Sequence, residues 1–151
     1  MNFPTKKEFF ELLYQNKEFC NSLGQVMLAA SKLESTLRIF LINQGHDIPE
    51  NKATLGNLVN ILKKNKHLSK NGEMHFADLK MQRNYLSHSL YDLFNDNIEE
   101  TILPRENLVP EDVQVFAEKV SGTAKNFLGI TKIIINEIDK SQKIKGTMIL
   151  L

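Results

Sequence analysis

The residues of this chain with the greatest capacity for chemistry lie in one short run, Arg83-Asn84-Tyr85-Leu86-Ser87-His88. Histidine is the side chain whose ordinary pKa falls nearest neutrality, so His88 can act as a base or an acid. Arg83 stays charged, and its planar guanidinium matches two phosphoryl oxygens, which suits it to stabilise negative charge developing in a transition state. Around these two stand an amide (Asn84), a hydroxyl (Ser87), a phenol (Tyr91) and a second cation (Lys80). Tyr91 is suited to support the site by a hydrogen bond or to offer a ring on which a base stacks.

The element that must position them is a helix over residues 71–95. At about 100° per residue, Phe76, Leu79, Leu86, Leu90 and Leu93 fall in one apolar stripe. Lys80, Asn84, Ser87, His88 and Tyr91 collect on the other side, with Arg83 at the border. Arg83 and His88, five positions apart, are offset by about 140° and do not stack directly. Asn84 and His88 are four apart and share a face. Asn84 can then fix the histidine tautomer or contact a phosphate while Arg83 reaches round from the edge.

The pattern Arg83-Asn84-x-x-x-His88 in a late helix of a small helical chain resembles the HEPN family, over residues 17–140. That resemblance implies a metal-independent endoribonuclease whose active site is assembled where two motif copies meet across a homodimer. Cleavage of RNA without a metal needs a base for the 2′-hydroxyl, an acid for the leaving 5′-oxygen, and positive charge at the phosphorane. One helix offers one histidine and one arginine for this work, and two copies offer two of each. The resemblance further implies 2′,3′-cyclic phosphate ends, a role as toxin or antiviral defence effector, and an antitoxin or defence-system partner. Tyr91 stands three positions after His88, whereas HEPN toxins whose antitoxin modifies a tyrosine carry it two positions after. A non-catalytic module binding RNA or protein through the same face is the alternative, and an unrelated helical adaptor a third reading.

Composition narrows the classes. With 151 residues, 42% hydrophobic and 25% charged, the chain has single-domain length and an ordinary globular balance. A net charge of +1 gives no general basic field for nucleic acid, so RNA contact needs a local patch. Lys63, Lys64 and Lys66, near the end of a helix over 54–66, form the densest one and are candidates for phosphate contact. The single Cys20 excludes an internal disulfide, fits a reducing cytoplasm, and reads as a small, partly buried residue. His46, His67 and His75 lie in different segments without zinc-site spacing, and neither metal nor cofactor is expected. No apolar run approaches the ~20 residues of a membrane span, and the first residues lack a secretory core.

The remaining pattern predicts an all-α, antiparallel bundle of four to five helices, read as one domain over 1–151 with a tail from 141. Thr5-Lys6-Lys7-Glu8 has the form of a capping box and opens a first helix ending near residue 16. Phe19, Leu23, Val26, Ala30, Leu33, Leu37 and Phe40 alternate steps of four and three, marking a long helix that Gly45 ends. Gly24 inside it is read as a point of close helix approach. Glu34 is expected either to pair with Arg38 on the surface or to face the motif helix and orient one of its cations. The helix over 54–66 turns Leu55, Leu58, Val59 and Leu62 inward. After an extended connection, Pro110 begins a last helix carrying Val113, Phe116, Val120, Ala124, Phe127, Thr131, Ile134 and Ile138 at helical spacing.

Overall fold

The computed structural model describes residues 3–88 and 108–141. Over these the protein is all-α, with the architecture of a helical bundle and no strand among the described residues. Its helices are α1 (Lys6–Gln15), α2 (Lys17–Asn43), α3 (Leu55–Lys64), α4 (Lys70–His88) and α5 (Asp112–Ser141), with a 3-10 turn at Glu50–Lys52. The chain forms two compact units, one of Met1–Leu28 with Gln82–Lys125 and one of Ala29–Met81 with Asn126–Leu151. Among the described residues, no helix is long and apolar enough to cross a membrane.

Helix starts follow the side chains that can satisfy orphan amides. At α1 the capping box is complete: Glu8 N donates to Thr5 Oγ1 (3.2 Å), and Thr5 N donates to Glu8 Oε2 (2.7 Å). The backbone bond from Thr5, and after it the bond from its hydroxyl, hold the Glu8 carboxyl below its ordinary pKa. Asn16 then caps α2, its Oδ1 accepting from Phe19 N at 2.7 Å. At α5, Val109 N donates to Asp112 Oδ2 (2.7 Å), so an acidic residue in the first turn closes the start that Pro110 announces.

Two helices end in the same motif. Past α2, Gly45 N donates to Ile42 O and His46 N to Leu41 O, both at 3.0 Å, with Gly45 at φ +89°. Past α3, Lys66 N donates to Lys63 O (3.2 Å) and His67 N to Leu62 O (2.9 Å), with Lys66 at φ +58°. Both are Schellman endings, which need a left-handed residue at the turn. Gly45 supplies it without steric cost; Lys66 carries a Cβ into a region that costs L-residues roughly 1 kcal/mol.

Each unit has its own apolar interior. The first buries Phe9, Leu13, Phe19, Val26, Leu86, Val113, Phe116 and Val120, with Phe9 and Phe116 edge to face at 5.2 Å between ring centroids. The second buries Leu33, Leu37, Phe40, Leu55, Leu58, Leu62, Phe76, Leu79, Phe127, Ile134 and Ile138. The long α2 seam is buried as its spacing predicts, except for half-buried Leu23, and the α3 and α5 faces are buried throughout. Two expectations change. Gly24 is exposed, and a Cβ there would meet nothing within 4 Å, so it marks no close approach. Cys20 is exposed rather than partly buried, its thiol 3.3 Å from the Tyr14 carbonyl.

Candidate functional site

The motif helix starts where Ser69 Oγ accepts from Gly72 N (3.1 Å), and it runs unbroken to His88. Arg83, Asn84, Ser87 and His88 therefore lie on one helix, as the spacing requires. The His88 side chain lies outside the described residues, as do Tyr91, Leu90, Leu93, the connection before Leu108 and the segment from 142 on.

Within α4 the burial pattern changes along its length. From Lys70 to Met81 one face is covered: Gly72, Phe76 and Leu79 are buried, while Met74, His75, Ala77, Asp78 and Met81 are exposed. From Gln82 to Leu86 solvent contact is reduced at every position. Gln82, Arg83 and Asn84 are half-buried, and Tyr85 and Leu86 are 5% and 3% exposed. Four consecutive residues at about 100° steps circle the whole helix, so no side of this turn is an ordinary solvent face. Ser87 is the exposed position, and its direction falls between those of Arg83 and Asn84.

The polar groups beside that opening are joined. Arg83 Nη1 donates to Asn84 Oδ1 at 3.3 Å, and Ser87 Oγ donates to the Arg83 carbonyl at 2.9 Å. The guanidinium thus extends toward the Asn84 side of the helix. Ser87 spends its proton on the backbone a turn earlier, leaving its oxygen as an acceptor. The planar guanidinium presents paired N–H donors, the geometry needed to bind a phosphoryl group.

The other expected residues are placed elsewhere. Glu34 Oε1 accepts from Leu55 N at 3.0 Å and so caps the first turn of α3, beside Thr54, whose hydroxyl accepts from Asn57 N. Its carboxylate lies at the positive end of that helix, a favourable location. Arg38 Nε donates to the Ile48 carbonyl (3.1 Å). Lys80 also lies along the first turn of α3: a Cβ on Gly56 would come within 3.2 Å of Lys80 Cε, so the absent side chain makes room for the lysine stem. At the far end of α3, Lys63 approaches Glu73 at 3.9 Å with both groups well exposed, a weak pairing. Lys64 and Lys66 are exposed at the same end.

The structure therefore groups Arg83, Asn84 and Ser87, and separately seats Glu34 and Lys80 against α3. Sequence reasoning overlooked Gln82 and Tyr85, whose Oε1 and phenol oxygen are buried atoms of the same turn. Their only signal was a polar pair three apart, on directions that the apolar stripe leaves uncovered. Among the described residues, no cluster of three or more His, Cys, Asp or Glu side chains forms a metal site. Comparisons of the chain with protein-family models, with curated proteins and with solved structures give no match.

Proposed function

We propose that this chain is a HEPN-type endoribonuclease that cleaves RNA without a metal and acts as a cytoplasmic toxin or defence effector. The observation that carries the reading is the half-buried Arg83 guanidinium, hydrogen-bonded to Asn84 beside exposed Ser87, on the same unbroken helix as His88. A cation fixed in advance of the reaction stabilises a phosphorane with little reorganisation. His88 supplies the proton transfer: as base it takes the 2′-hydroxyl proton, and as acid it protonates the leaving 5′-oxygen. A single motif offers one histidine for these two tasks, so a second copy of the chain completes the site and the working form is a homodimer.

Attack by the internal 2′-oxygen needs no activated water, and the product carries a 2′,3′-cyclic phosphate. The test is incubation of the purified protein with labelled RNAs in EDTA, followed by analysis of the ends. Metal-independent cleavage to cyclic phosphate ends is expected. Binding of RNA by the folded dimer without cleavage would replace this reading with the non-catalytic module.

A further inference from the structure

Both Schellman endings place a histidine at the position just past the left-handed residue, His46 after α2 and His67 after α3. The fold brings these side chains together: Nε2 of one is 3.2 Å from Nε2 of the other. The ring centroids are 5.4 Å apart and the planes nearly perpendicular, so the rings meet tip to tip. His67 is buried, with Phe40 edge to face at 5.3 Å, whereas His46 is half-exposed. The two histidines stand 21 positions apart, a separation that no zinc-site spacing rule picks out.

We propose that His46 and His67 form a two-histidine site for a divalent first-row cation of the zinc type. Two imidazole nitrogens bound at about 2.0–2.1 Å to a tetrahedral zinc stand about 3.4 Å apart, close to the 3.2 Å found here. Tilting both rings toward a common side carries their lone pairs onto one point, where the ion takes the place of the hydrogen bond between the nitrogens. Imidazole is a ligand suited to zinc, copper and nickel. The ion also sits past the C-terminal ends of α2 and α3, each of which carries partial negative charge. Among the described residues no third His, Cys, Asp or Glu joins the pair, so water fills the outward positions on the exposed His46 side. Such an open site binds exchangeably, unlike a closed four-ligand structural zinc.

The wild-type chain, His46→Gln and His75→Gln are titrated with zinc chloride by calorimetry. Wild type is also followed by NMR of its histidine ring protons. His46 is half-exposed, so its replacement spares the interior, and His75, exposed on α4, serves as the control. The expected result is one zinc per chain in wild type and His75→Gln, lost in His46→Gln, with zinc shifting the ring signals of both His46 and His67. Absence of stoichiometric binding by wild type, binding undiminished in His46→Gln, or ring signals of this pair unmoved by zinc would each overturn the proposal.

Discussion

The two stretches of α4 obey different rules. From Lys70 to Met81 the helix is an ordinary amphipathic one: buried positions recur at Gly72, Phe76 and Leu79, and polar or flexible residues take the water side. From Gln82 to Leu86, an amide, a guanidinium, a second amide and a phenol are drawn out of full solvent contact on every side of the helix. Withdrawing polar groups costs free energy unless each is matched by a partner. A sequence places such a load where geometry must be fixed, and the Arg83–Asn84 bond is the visible part of that fixing.

The ends of α2 and α3 repeat the contrast on a smaller scale. Both finish in the same hydrogen-bond pattern, yet one uses Gly45 at positive φ and the other uses Lys66. Backbone economy explains the glycine. The lysine is locally strained, and it adjoins buried His67.

The largest effect that would break the contrast within α4 lies in its first stretch. Phe76 is fully buried and Met74 is 71% exposed; Phe76→Ala should cost about 3–5 kcal/mol in urea unfolding, and Met74→Ala less than about 0.5. Comparable costs at the two positions would remove the one-faced description. In the motif turn the expected consequence is functional. Asn84→Ala removes the hydrogen bond from Arg83 to Asn84 and should lower RNA cleavage about tenfold, the worth of one hydrogen bond to a charged group, with kcat rather than KM carrying the loss. An unchanged rate would show that Asn84 does not position the cation. Smallest is Lys66→Gly, which relieves the left-handed strain and should raise stability by up to about 1 kcal/mol. A loss of stability would mean that the lysine side chain holds a contact worth more than the strain.

Much of the scaffold was legible because it depends on local rules. Thr5 and Glu8, Gly45 and Pro110 announce helix ends by local backbone requirements, and the α2, α3 and α5 faces follow from apolar spacing. Gly24 misled because a glycine in a helix has the same signature whether a neighbour or only solvent lies beside it. The motif run was legible as chemistry, and its shared helix as geometry. Its enclosure was not, since periodicity separates apolar from polar directions but does not say which polar directions a fold will cover. Glu34 illustrates the same limit: its acceptor role at Leu55 N joins residues 21 apart, and only tertiary structure sets that distance.

The roles proposed for Arg83 and His88 in RNA cleavage stand or fall on one comparison of rates. The most direct measurement is the rate of cleavage of a labelled RNA pool, in EDTA, by wild type, Arg83→Ala and His88→Ala, with folding of each verified by circular dichroism. Loss of either group should lower the rate by at least about 100-fold in a folded protein. Cleavage by both variants at the wild-type rate would show that neither side chain takes part in the reaction.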